Sequence, residues 1–129
     1  MKTFNQFLTE RVSPAELKDV EKLADRLFAK LDIDVEFTRH FKDRVNDARN
    51  KPMITQDELN NMFKKAFYGA GKKIAAMDKG AEAVLNDVQK DLNLPFVLRW
   101  DDKNKEFDLV SKTIMRKKDF KTPGKKIRF

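Results

Sequence analysis

The sequence predicts an α+β fold, with N-terminal helices packed on one face of a small antiparallel sheet that carries a C-terminal β-hairpin. Three observations carry this. Apolar residues recur at spacings of three and four as far as Phe67. Alternation by two takes over from Phe96 onward. Capping boxes at Ser13-x-x-Glu16 and Thr55-x-x-Glu58 mark two helix starts. The 129 residues suit one domain, and eleven Phe with one Trp and one Tyr supply a core although 38% of the chain is charged.

Met1–Glu10 (MKTFNQFLTE) is short and amphipathic, with Phe4, Phe7 and Leu8 at helical spacing, and precedes the domain as an appendage. Ser13 and Pro14 open a helix over roughly 14–31, striped by Leu17, Val20, Ala24, Leu27 and Leu31. Ile33, Val35 and Phe37 alternate, as in a short strand or an extended linker. Thr38 caps a second helix, with Phe41, Val45 and Ala48 inward, that runs until Pro52. Thr55 opens a third helix with Leu59, Met62, Phe63, Ala66 and Phe67 inward, stopped by Gly69 and Gly71. Over 72–92, Ala81, Val84, Leu85, Val88 and Leu92 fit a helix, and Ala83–Asn86 read as a strand is the alternative. Phe96, Leu98 and Trp100, then Phe107, Leu109, Ser111, Thr113 and Met115, form the inward side of a hairpin. Phe96, Trp100, Leu109 and Met115 are expected in the sheet core, and Lys125–Phe129 adds a last strand after the Thr122-Pro-Gly turn.

Charge is distributed unevenly. Residues 1–111 hold 20 basic and 20 acidic side chains, whereas 112–129 hold eight basic residues against Asp119, so the whole net charge of +7 lies at the C-terminal end. Lys117, Lys118, Lys121, Lys125, Lys126 and Arg128 are therefore the candidate contacts to an RNA or DNA backbone. The alternative is a solvated, Lys-rich edge strand that resists aggregation.

Several chemistries are excluded. With no Cys there is no disulfide, thiolate or Cys-based zinc site, and with one His there is no two-imidazole mechanism or two-His metal motif. Phosphate-loop, dinucleotide, nucleophile-elbow and zincin motifs are absent, so no metal and no cofactor are expected. No apolar run approaches the ~18–20 residues of a membrane span, and neither a signal peptide nor a membrane partner is expected. What remains is His40, which shares a helix face with Arg44, with Arg49 one turn on. If that helix crosses the sheet end, Lys112 and Arg116 face the imidazole. An imidazole beside cations is the outline of a metal-independent ribonuclease, in which His moves the proton and Arg or Lys stabilises the charged transition state. The alternative is a surface His paired with Asp43 or Asp47.

The opening Met1-Lys2-Thr3-Phe4 and the terminal Leu8-Thr9-Glu10 resemble capsid-targeting peptides of internal head proteins in T-even-like tailed phages. That resemblance implies cleavage between Glu10 and Arg11 by the prohead protease, packing with the prohead scaffold, and location inside the capsid and then in the host cytoplasm. Arg11 stands where that family often has a small residue. The run Phe37-Thr38-x-His40-x3-Arg44-x4-Arg49, the segment Leu92–Leu98 and the stretch Lys112–Pro123 are similar to small phage and toxin domains of the barnase–EndoU–colicin–RelE nuclease class. The two resemblances together imply a propeptide over 1–10 and one domain over 11–129, divided into an N-terminal helix (11–33) and a nuclease-like core (34–129). By position the second makes His40, Arg44, Lys112, Thr113 and Arg116 the catalytic candidates. A second imidazole, found in some members, is missing here. The remaining alternatives are a non-catalytic nucleic-acid binder, a host-enzyme inhibitor and a structural head component.

Overall fold

The computed structural model describes residues 11–129, and the propeptide with its cleavage residues Leu8 and Glu10 lies outside the described residues. Helix α1 (Pro14–Phe28) begins with the expected reciprocal cap: Ser13 Oγ accepts from Glu16 N–H and Glu16 Oε1 accepts from Ser13 N–H. A 3-10 turn (Ala29–Leu31) continues it, and Asp32, at φ 59°, redirects the chain into strand β1 (Ile33–Phe37). Helices α2 (Arg39–Val45) and α3 (Gln56–Ala75) follow, capped by Thr38 and Thr55. The rest is β2 (Glu82–Asp87), β3 (Leu92–Asp101), β4 (Glu106–Ser111), a short β5 (Met115–Arg116) and β6 (Lys125–Arg128).

The strands form one mixed sheet, not the antiparallel sheet expected, in the order β1-β4-β3-β2-β6, with β5 on β3. The central β2, β3 and β4 are antiparallel, whereas β1 runs parallel to β4 and β6 parallel to β2. The fold is α+β, with helices packed against a sheet. Leu92, Leu94, Phe96 and Leu98 of β3 join Val35, Leu109, Leu85 and Ile127 in one buried cluster with Val20 and Phe28 of α1 and Leu59, Met62 and Phe63 of α3. Each such side chain removed from water contributes about 1.5–3 kcal/mol. Phe37 anchors the corner where α2 begins, 4.3 Å from the Phe41 ring and 5.7 Å from Phe63. Helix α1 also seals the β1 edge. Asp25 Oδ1 accepts from Val35 N–H at 2.6 Å and Glu21 Oε2 from Phe37 N–H at 2.8 Å, so two outward donors of this strand are occupied. No helix among the described residues is long and apolar enough to cross a membrane.

Several local expectations fail as well. Helix α2 stops at Val45 because the Asn46 side chain leaves to bond Val12 N–H and C=O, which leaves Ala48 exposed. Helix α3 runs straight through Gly69 and Gly71. A Cβ at Gly71 would lie 3.0 Å from Leu31 Cδ1, so this glycine permits close approach of the α1 end rather than ending the helix. Residues 82–87 form the strand alternative, not a helix. Strand β2 lies between β3 and β6 with Ala83, Val84 and Leu85 all buried, and a strand buried on both faces loses its alternation. Finally, the second hairpin strand breaks after Ser111. Ser111 pairs with Phe96 and Met115 with Asn93, so Lys112, Thr113 and Ile114 oppose only Leu94 and Pro95. This bulge inverts the side-chain pattern. Ile114 becomes the buried residue, and Met115 is half-buried beside Asn93. Phe96 and Leu109 are core as expected, while Trp100 is half-buried at the sheet end, edge-on to Phe107 at 5.0 Å.

Candidate phosphate-binding cleft

Helix α2 is tethered at both ends, and the tethers build a cleft. At its start Thr38 Oγ1 accepts from Phe41 N–H and donates to the carbonyls of Ser111 (3.0 Å) and Lys112 (3.1 Å). At its end Asn50, buried, donates to Arg44 C=O at 2.8 Å and accepts from Arg116 N–H at 2.8 Å. One amide side chain thus caps α2 and fixes β5 beside it. The bulge then turns Thr113–Met115 toward the helix. The resulting cavity of about 440 Å³ is lined by His40, Arg44, Asp47 and Arg49 on one side and by Thr113, Met115, Arg116 and Lys117 on the other.

On the α2 side, Arg44 Nε donates to His40 Nε2 at 3.3 Å, so this imidazole nitrogen serves as an acceptor. Arg44 Nη1 donates to Asp47 Oδ2 at 2.7 Å. Arg49 reaches both Asp47 oxygens, through Nε at 3.1 Å and Nη2 at 3.0 Å, and its backbone N–H adds a third bond at 2.8 Å. The side-chain and backbone donors of Arg49, with Arg44 behind them, hold the Asp47 carboxyl well below the usual carboxylate range. The same ion pair raises Arg49. Two guanidinium groups therefore converge on one carboxylate beside an imidazole lone pair, an arrangement that a phosphate can enter by displacing Asp47 from one of them.

The candidates divide. His40, Arg44 and Thr113 line the cleft together. Lys112 does not; it belongs to the outer sheet face, where Nζ donates to Glu82 Oε1 at 3.1 Å. Arg116 touches the cleft but its guanidinium is spent elsewhere. Nε donates to Pro52 C=O at 2.9 Å, Nη1 to Lys90 C=O at 2.9 Å, and Nη2 to Met53 C=O at 3.3 Å and Glu58 Oε1 at 2.6 Å. Of the six C-terminal candidates, Lys117 lies at the cleft wall. Lys118 and Lys121 are exposed on the connection between β5 and β6. Lys125 and Arg128 are exposed on edge strand β6, and Lys126 Nζ is held by the Phe120 carbonyl. Asp47, Asn50 and Met115 were not anticipated as cleft residues. The three-residue spacing of Arg44 and Asp47 on one helix face was a legible signal for the first; nothing in the sequence pairs Asn50 with Arg116.

A separate carboxylate group, Asp34, Glu106 and Asp108, has oxygens within 4.8 Å of one another on the other half of the sheet. Arg99 Nη2 donates to Asp108 at 3.1 Å. Burial first, and then Asp34 and Asp108, raise the Glu106 carboxyl. Comparison with protein-family models, curated proteins and solved structures finds no match for this chain, so its functional reading rests on the cleft.

Proposed function

We propose that this domain binds nucleic acid through its phosphodiester backbone at the His40 cleft, and that His40 makes the cleft a metal-independent ribonuclease. The observation that carries the reading is the convergence of His40, Arg44 and Arg49 with Thr113 and Lys117, from distant parts of the chain, around one cavity. A phosphate seated on Arg44 and Arg49 draws Arg44 Nε away from His40 Nε2, which frees that nitrogen to act as a base. His40 takes the proton of the ribose 2′-hydroxyl. The 2′-oxygen attacks phosphorus, the bond to the 5′-oxygen breaks, that oxygen leaves with a proton from water, and the imidazolium of His40 returns its proton to the resulting hydroxide, giving a 2′,3′-cyclic phosphate and a neutral His40. Arg44 and Arg49 carry the charge that accumulates on the non-bridging oxygens. Arg116 has no part in this, because four of its five donors are held by Pro52, Lys90, Met53 and Glu58.

The test is incubation of labelled RNA and the matching DNA with protein in chelator. The expected result is cleavage of RNA to a cyclic phosphate, binding of DNA without cleavage, and loss of cleavage with retained affinity in His40→Ala. Binding of RNA with no cleavage would leave the second reading, a non-catalytic binder. The pairing of Asp47 with both arginines favours that reading, since it holds them in a resting ion pair. Absence of binding to either would remove both.

The N-terminal decapeptide supports a companion proposal, that the chain is an internal head protein of a tailed phage. Mass spectrometry of purified virions should find this chain beginning at Arg11; an intact Met1 in mature particles would overturn the cleavage.

A further inference from the structure

We infer that helix α3 carries a second, separate binding surface, a stacking platform for unpaired bases of single-stranded nucleic acid, centred on Tyr68. Tyr68 is 75% exposed although its neighbours on the helix reach the core. An aromatic ring normally gains much by burial, so a ring held in water is a feature to explain. Its position is defined: Phe67 packs against it edge to face at 5.0 Å, and Lys30 Nζ lies 5.6 Å from the centre of the Phe67 ring. Lys64 and Lys72 stand one turn before and one turn after Tyr68, on the same exposed face. From Leu59 to Ala75 the helix has no acidic residue. Lys65 is paired with buried Asp87, whereas Lys64, Lys72 and Lys73 make no ion pair among the described residues. Gly69 beside the ring adds no side chain, and Phe129 Cβ lies 3.5 Å from where its Cβ would be, which brings the end of the chain after β6 against this part of the helix.

A π-face flanked by cations at one-turn spacing matches a base flanked by its phosphates. Duplex bases are already stacked, so the partner is a single strand. The surface is not the cleft. Glu58, which holds the cleft-wall Arg116, is ten residues before Tyr68, about 15 Å along the helix axis.

Fluorescence anisotropy with a short labelled oligothymidylate and a duplex of equal length tests this. Both are DNA, so cleavage at the His40 cleft does not enter. Tyr68→Ala should weaken single-strand binding about 5- to 150-fold, Tyr68→Phe should restore it to within about twofold, and duplex affinity should not change. Lys64→Gln with Lys72→Gln should make the salt slope shallower by about 1.4. In an Arg44→Gln, Arg49→Gln background the Tyr68→Ala factor should be the same, which separates this surface from the cleft. Wild-type affinity in Tyr68→Ala, an equal loss in Tyr68→Phe, or no oligothymidylate binding by the wild type would overturn the inference.

Discussion

Arg116 and Arg49 both stand at the cleft, and they differ in almost everything but residue type. Arg116 has only 9% of its side chain exposed, spends its donors on three carbonyls and Glu58, and ties the 50–53 loop to β5. Arg49 is 77% exposed, and its guanidinium pairs with Asp47, which Arg44 shares. A guanidinium has five N–H donors and cannot be neutralised at working pH, so its role is set by how many fixed acceptors surround it. With four of its five donors held and little exposure, Arg116 is a structural rivet. With one shared carboxylate and open water, Arg49 is available to an incoming anion.

The largest effect expected from this contrast is on stability. Arg116→Met should cost about 3–5 kcal/mol in urea unfolding, because it strands the Glu58 carboxylate and three carbonyls. Burial opposes charge on Glu58, but the Arg116 and Thr55 hydrogen bonds, with the charges of Arg116 and Lys90, outweigh it and hold the carboxyl below its ordinary value. A depressed carboxylate contributes stability at neutral pH that is lost as pH falls through its folded value. Wild type and Glu58→Gln should therefore converge in acid. Equal stability of Arg116→Met and wild type at neutral pH would dissolve the contrast.

Next comes binding at the exposed pair. Arg44→Gln with Arg49→Gln should weaken RNA binding about tenfold or more, and leave the melting temperature where it is. Asp47→Asn should act in the opposite direction, because it releases both guanidinium groups. Weaker RNA binding by Asp47→Asn would instead make Asp47 a positioning residue.

The smallest effect concerns Asp25, a carboxylate with no ion pair among the described residues. Asp25 is pushed up to about 7, by burial first and then by Asp34 and Glu21, against the Val35 N–H that favours its charged form. The folded state thus holds this proton more tightly than the unfolded chain does. That contribution is full below the ordinary value of 3.8 and is lost as pH rises through about 7. Asp25→Asn should flatten this slope, and urea midpoints measured across that window would show it. An unchanged slope would place the titration elsewhere.

Local chemistry was legible. Ser13, Thr38 and Thr55 cap helices as read, because a hydroxyl three residues from a free N–H needs no distant partner. The grouping of His40 with Arg44 was legible too, since helical spacing alone puts them on one face. Gly69 and Gly71 misled because a glycine ends a helix or admits a neighbour, and only Leu31 shows which.

By itself, the sequence determined the α+β class, two capping boxes, the stripes of α1 and α3, and a cation excess after Lys112. These follow from interactions within a few residues or from composition. Tertiary structure alone decided that 82–87 is a central strand, that the bulge after Ser111 exchanges Met115 for Ile114 in the core, and that Asn50 joins α2 to β5. It also decided that Arg116 is a rivet and Lys112 faces Glu82, while Arg44 and Arg49 face the cleft. Burial on both faces erases periodicity, and a side chain's free donors can be counted only when every acceptor around it is in place.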